Sequence, residues 1–319
     1  MNQSTYHQQV ELLIRIAPIV FSTRLLALKG GTGINLFFQN MPRISVDLDC
    51  VFLDKTLPRD KALSCIRKEL ERIKQEAETR GYRGALGFTN EDVKCIVSSG
   101  RTQVKIEVNP IFRGTILPVQ MRPLCKRASD EFFAEYELPV LCRDEIYAGK
   151  ILAALDRQHP RDIFDIKQMP LSANLSEEMI ECFLIYLCAH NRPFHETLFS
   201  RMKDQRQLFN VAFAGMTDSR CSWDDLSSVR TQLQDTLFHQ LGERRINFLK
   251  SFAEANPRWD LCKHKDAKNL PAIRWKLKNL QHLRETNYAK FAEQKEALVN
   301  SLDTFLGKLP LAHPTAKTS

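Results

Sequence analysis

The chain has 319 residues, 43% of them hydrophobic and 26% charged, with a formal net charge of +8. That is ordinary globular composition, long enough for one large domain or two smaller ones, and it excludes a chain too polar to build a core. No apolar run reaches the roughly 18 residues that cross a bilayer, and the basic balance favours polyanionic partners: nucleotides, RNA or DNA.

The longest apolar run, Met179 to Ala189, contains a glutamate and reads as a buried helix. The first twenty residues lack the basic start and small-residue cleavage site of a signal peptide, so a cytoplasmic protein is expected. Nine cysteines, at 50, 65, 95, 125, 142, 182, 188, 221 and 262, show no CxxC spacing. They are expected to be reduced structural thiols and not a thiolate metal site.

In chain order, residues 8 to 22 follow helical spacing and lead into the short apolar run Arg24 to Leu28. That run abuts Lys29-Gly30-Gly31-Thr32, a strand ending in a tight loop. Gly33 to Gln39 reads as a short helix or half-turn, 41 to 43 as a loop, and Ile44 to Phe52 as a second strand. Residues 58 to 80 form an amphipathic helix between Pro58 and Gly81. Strands follow at 94 to 98, 103 to 109 and 138 to 142, then a helix from 144 to 157. Pro160 suits the first turn of another helix.

Beyond Pro170 the pattern is helical: 176 to 190, 195 to 213, 224 to 241, 243 to 255 and 271 to 304. The expected fold is α+β, a mixed-sheet α/β lobe over residues 1–170 followed by an all-helical lobe over 171–308. Residues 309–319 read as a disordered tail. No internal repeat or low-complexity tract occurs.

Asp47 and Asp49 lie two apart on a strand, so they share one face about 6.5 Å apart. Two carboxylates at that spacing suit one hard cation such as Mg²⁺ together with substrate phosphates. A solvated strand face is the plain alternative, and metal-bound nucleotide sugars use the same pair, so the pattern leaves the reaction open. Gly30 and Gly31 allow close backbone approach to an anion, and Thr32 adds a hydroxyl. In Val104-Lys-Ile-Glu-Val108 the alternation places Glu107 where it can join the two aspartates in a two-metal site. The alternative is a Lys105–Glu107 surface pair of little consequence.

On the helix from 144, Lys150 and Arg157 project from the same side and suit a triphosphate, one as a point charge and one as a fork. Asp162 and Asp165 share a face of the next helix at i, i+3. One of them receives Arg157 or Arg161 as an ion pair, or one faces the nucleotide; a purely structural charge network is the alternative. Arg274, Lys276, Lys278 and Arg284 form either a guide for RNA or an ordinary solvated helix face.

Three segments together resemble the AbiEii/AbiGii-type nucleotidyltransferases, the toxin component of bacterial abortive-infection and toxin–antitoxin pairs. LKGGTGINLFFQNMPRISVDLD carries the Gly-Gly-Thr turn, then Arg43, Ser45, Asp47 and Asp49. VKIEVNP carries Glu107 as third acid. DEIYAGKILAALDRQHPRDIFDI carries Glu145, Lys150, Arg157, Arg161, Asp162 and Asp165. LPAIRWKLKNLQHL, 270 to 283, is also similar to C-terminal helices of the family. Residues 58 to 103 match no motif, and Gly149 is a weak helix former just before Lys150.

The resemblance implies transfer of a nucleoside monophosphate from an NTP to an RNA acceptor, the tRNA 3′ end first among them, with Mg²⁺ or Mn²⁺. In it Lys29, Gly30, Gly31, Thr32, Ser45, Lys150, Arg157 and Arg161 hold the nucleotide. Asp47, Asp49 and Glu107 hold metal, and Lys150, Asp162 and Asp165 join these acids in catalysis. A cognate antitoxin, of the winged-helix DNA-binding kind, is the implied partner. A protein acceptor and a non-catalytic RNA-binding relative are the competing readings.

Overall fold

The computed structural model describes residues 3–88, 93–169 and 175–306. Among them a seven-stranded mixed sheet runs in the order β3-β4-β5-β2-β1-β7-β6. The strands are β1 (Leu26–Lys29), β2 (Asp47–Phe52), β3 (Arg83–Phe88), β4 (Val93–Ser99), β5 (Thr102–Asn109), β6 (Gln120–Pro123) and β7 (Glu137–Val140). β2 pairs antiparallel with β1 and parallel with β5, and β1 runs parallel to β7.

The central strands bury alternate residues. Leu48 and Cys50 of β2, Val104, Ile106 and Val108 of β5, and Cys95 and Val97 of β4 are all at most 1% exposed. Their face packs under α1 (Gln3–Val20) and α3 (Arg59–Thr79). The residues between them, Asp47, Asp49, Lys105 and Glu107, necessarily occupy the opposite face.

The glycine segment is not the expected loop. The chain leaves β1 at Lys29 and enters α2 (Gly30–Gly33) at once, continuing as a π-helical turn over Ile34–Phe38. Gly30 makes the corner at φ 71°, a left-handed conformation that costs other residues energy. β2 begins at Asp47 and not at Ile44, because the Ile44 N–H is donated to the Met216 carbonyl (2.7 Å) instead of to a sheet neighbour.

β3, β6 and α4 (Lys126–Phe132) have no counterpart in the sequence reading. β3 and β6 are edge strands with mostly exposed or half-buried side chains and weak formers, Gly84, Gly87 and Pro123, so no apolar alternation marks them.

The helix expected at 144–157 is α5 (Arg143–Asp156), and Pro160 opens α6 (Pro160–Lys167). From residue 175 the described residues form α7 (Glu177–Cys188), α8 (Phe194–Leu198), α9 (Arg206–Ala212), α10 (Trp223–Ala253), α11 (Pro271–Thr286), α12 (Tyr288–Leu306) and two short 3₁₀ turns. The single helix expected over 195–213 is divided. Side chains of Gln234, Arg230 and Gln158 take the carbonyls of Leu198, Ser200 and Arg201 that would have continued it. The two helices expected around Gly242 run on as α10 with a break there (φ 65°, ψ 160°), and the long 271–304 helix is interrupted at Asn287. α5 packs on α7 and α6 on α10, so the later helices close over the sheet's polar side. The boundary expected near 170 and the tail 309–319 lie outside the described residues, and a division into 1–170 and 171–308 remains our proposal.

α6 carries two site residues, and its start depends on a histidine. His159 Nδ1 accepts the Arg161 N–H (3.1 Å) as the cap of the helix. Burial and the nearby Arg161 push the His159 imidazole down to about 4. A depressed histidine pKa means stability that is full above about pH 6.5 and is lost as pH falls towards 4. Urea unfolding of the wild type is therefore expected to weaken more between pH 7 and 4.5 than that of His159→Asn, whose amide keeps a cap acceptor without titrating. Equal losses in the two proteins would remove this role.

Candidate active site

β1, β2 and β5 lie side by side in a register that aligns Lys29 with Asp49 and Asp49 with Glu107. One step along, Asp47 sits opposite Lys105. The two aspartates and Glu107 therefore share one face at the centre of the sheet, as their alternation predicted. Lys105 pairs with Glu107 at 2.7 Å, so the surface pair weighed as an alternative does form, but it forms inside the acidic cluster. Burial raises the Asp47 carboxyl above its usual range; Lys105 opposes that shift and Asp49 adds to it.

The glycines are explained by their neighbours. A Cβ on Gly30 would lie 2.4 Å from Asp49 Oδ2, and one on Gly31 would lie 2.6 Å from Arg43 Nη2. The turn is thus bare so that a carboxylate and a guanidinium can lie against the backbone. Thr32 and Ser45 are placed otherwise than expected. Thr32 Oγ1 donates to the Asp47 carbonyl and receives the Ser45 hydroxyl at 2.9 Å, and both residues are buried. They tie α2 to β2 and present no free hydroxyl to a phosphate.

Behind this face lies a buried charge network. Asp165 accepts Arg43 Nε (2.7 Å) and Nη2 (2.6 Å) and Asn35 Nδ2 (2.9 Å), and forms an ion pair with Lys150 Nζ (3.0 Å). Asp162 accepts Lys150 Nζ (2.8 Å) and both Nε and Nη2 of Arg157. Burial pushes both carboxyls up, but Arg43, Lys150 and Arg157 outweigh it and hold them below the usual range. Neither aspartate is exposed to solvent: each is at most 2% exposed with its oxygens engaged. Their part is to position Lys150, Arg157 and Arg43. Two acids against three cations leave one excess positive charge beside the acidic row. The Arg161 guanidinium makes no hydrogen bond or ion pair among the described residues, and its charge acts on Asp47.

Between the sheet face and helices α5 and α7 lies a cavity of about 420 Å³. Lys29, Gly30, Asp49, Glu107, Lys150 and Arg157 line its polar end. Its other wall was not foreseen. Phe112 and Tyr186 stack there with ring centroids 4.4 Å apart, and Asp156 and His190 pair at 3.3 Å. Gly149, a poor helix former, lies against the Tyr186 ring: a Cβ would be 3.4 Å from it. Glu145 holds this wall by accepting the N–H groups of Ile116 and Leu117 and the Tyr186 hydroxyl, and burial raises its carboxyl to about 7. Tyr186 and His190, one helical turn apart in an apolar run, left only that spacing as a signal.

The basic C-terminal residues divide. Ala272, at the start of α11, lines the cavity, while Arg274, Lys278 and Arg284 are exposed. Lys276 is not available as an RNA guide: it is buried, donates to the carbonyls of Asn191 and Arg192, and lies 5.1 Å from the Phe194 ring. Burial lowers its ammonium to about 8.

Asp47, Asp49 and Glu107 together offer hard carboxylate oxygens on one face, a donor set that fits Mg²⁺ or Mn²⁺. Among the described residues no helix is long and apolar enough to cross a membrane.

Among curated proteins, none matches the chain. Among solved structures, the nucleotidyltransferase toxin MenT4 of Mycobacterium tuberculosis H37Rv is similar, with a TM-score of 0.60 and 14% sequence identity, covering 88% of this chain and 94% of that one. At that identity the likeness speaks to the fold, a sheet and helices in the same arrangement. A family model described as nucleotidyl transferase AbiEii toxin, type IV toxin–antitoxin system, matches residues 11–279. With that match spanning all three motif segments, the chain belongs to the AbiEii family of nucleotidyltransferase toxins.

Proposed function

We propose that this cavity seats an NTP and that the enzyme transfers its nucleoside monophosphate to an RNA, with the tRNA 3′ end as the acceptor. The observation that carries the reading is the alignment of Asp49 with Glu107 on adjacent strands, with Lys150 lining the same cavity. Lys29, Lys150 and Arg157 supply positive charge for the triphosphate, and the Phe112–Tyr186 wall offers an apolar surface for the base. The exposed Arg274 and Lys278, leading away from the cavity rim, support a polyanionic acceptor over a protein one.

In this reading an acceptor hydroxyl oxygen bonds to the α-phosphorus, the α–β phosphoanhydride bond breaks, and pyrophosphate leaves. The hydroxyl proton passes to a carboxylate of the acidic row. Asp47, Asp49 and Glu107 would hold Mg²⁺ or Mn²⁺; when bound, it neutralises phosphate charge and lowers the pKa of a coordinated hydroxyl. The protein's contribution is chiefly positioning and fixed charge. The partner in this reading is an antitoxin, of the winged-helix DNA-binding kind by family resemblance.

Purified protein incubated with each labelled NTP, Mg²⁺ and total RNA is expected to label RNA. Label in protein would redirect the reading to a protein acceptor, and no label with no NTP binding would leave a non-catalytic relative. Asp49→Ala is expected to lower transfer by at least about 100-fold, the scale of losing a preorganised electrostatic group. Its melting temperature should stay within a few degrees of wild type.

Chelation by EDTA should abolish transfer, and added Mg²⁺ or Mn²⁺ should restore it. Activity undiminished by EDTA would remove the metal role of the three acids.

Asp165→Ala should behave in the opposite way to Asp49→Ala. It leaves Arg43 buried without its partner and should cost about 3–5 kcal/mol of stability by denaturant unfolding. A stable, inactive Asp165→Ala would instead place Asp165 in the chemistry.

A further inference from the structure

Away from the cleft, one cluster joins three different ligand chemistries. Glu178 and Cys182 are one turn apart on α7 and project from the same face. His264 reaches them from the stretch between α10 and α11, where the regular structure is two short 3₁₀ turns, Trp259–Leu261 and Lys265–Asn269. The carboxylate oxygen, thiol sulfur and imidazole nitrogen all lie within 4.8 Å of one another.

The cluster is more than a two-residue ion pair. Glu178 Oε1 and His264 Nε2 are both shielded from solvent and are in direct contact with each other. The other Glu178 oxygen, Oε2, is held by Lys263. One oxygen is therefore anchored and the other is directed inward, towards a histidine nitrogen and a fully buried thiol.

The geometry points to a zinc site formed by Glu178, Cys182 and His264, with water as a fourth ligand. Thiolate, imidazole and carboxylate together match zinc, whereas Mg²⁺ requires a shell of oxygens. Around a tetrahedral zinc such ligand atoms sit roughly 3.3–3.6 Å apart. The Glu178–His264 contact opens to admit the ion while the sulfur draws in. The Cys182 S–H bond breaks, its proton goes to solvent, and a Zn–S bond forms. The double positive charge then meets one thiolate and one carboxylate, so the buried cluster is neutral.

The ion would staple the irregular stretch before α11 to α7, which carries Tyr186 of the cavity wall. The site runs against the expectation from cysteine spacing, because His264 lies 82 positions beyond Cys182 in sequence and no local motif announces the set. It does not depend on the reaction proposed for the cleft.

The test uses the full chain, stripped with a chelator and then loaded with zinc alone or cobalt alone. About one zinc per chain should remain through gel filtration. The cobalt form should show intense tetrahedral d–d bands and a sulfur-to-cobalt charge-transfer band. Zinc should raise the wild-type melting temperature, as for any ligand that binds only the folded state. Cys182→Ser should lose the charge-transfer band, His264→Ala on the less buried side should lose stoichiometric zinc, and Asp49→Ala should keep both. Substoichiometric zinc in the wild type, or a cobalt spectrum unchanged by Cys182→Ser and by His264→Ala, would overturn the assignment.

Discussion

The buried carboxylate of Asp165 is the constraint around which the rest is arranged. A charge taken fully out of water is costly unless it is paired and hydrogen-bonded on every side. Asp165 meets that demand with a guanidinium fork from Arg43, an amide from Asn35 and an ammonium from Lys150. These partners come from the segment after β1 and from α5, while Asp165 itself rides on α6. Satisfying one carboxylate therefore locks three separate parts of the chain together, just behind the acidic face of the sheet. The bare Gly31 is a consequence: the Arg43 guanidinium occupies the space where its side chain would be.

The same arrangement separates charge by element. The sheet carries the acids Asp47, Asp49 and Glu107, and the helices carry Lys150 and Arg157. The two sets face each other across the cavity instead of neutralising each other in pairs, because Lys150 and Arg157 are already committed to Asp162 and Asp165. Such fixed, opposed charges need no rearrangement when a charged substrate arrives, which is the condition for electrostatic preorganisation. Lys105 softens the mutual repulsion of the acids by pairing with Glu107 and sitting opposite Asp47. Raising the Asp47 carboxyl is the residual cost of keeping that cluster half-buried.

Much of this was legible along the chain. Alternation in Val104 to Val108 and in Asp47 to Val51 marked the faces of the two central strands, and the lysine–arginine spacing on α5 marked a shared side. What a one-dimensional pattern misreads is partnership. Thr32 looked like a phosphate ligand but spends its hydroxyl on the Asp47 carbonyl. Asp162 and Asp165 looked like candidates for chemistry, and they are enclosed holders of cations. Lys276 looked like one of a basic row, and burial against Phe194 takes it out of that row. In each case the residue type was right for the role, and a neighbour distant in sequence had already claimed it.

The amino-acid sequence by itself determined the periodicities: which strands have one polar face, where α3, α5 and α7 run, and which residue types assemble acids, glycines and cations in a fixed order. Those follow from local rules, side-chain alternation and helical spacing, that act within a few residues. Only the tertiary structure decided the register of β2 beside β5, the enclosure of Asp165, and the meeting of Tyr186 with Phe112 and of His264 with Cys182. These are contacts between residues far apart along the chain. They depend on which buried group can satisfy which other, and a pattern of neighbours in sequence carries no record of that.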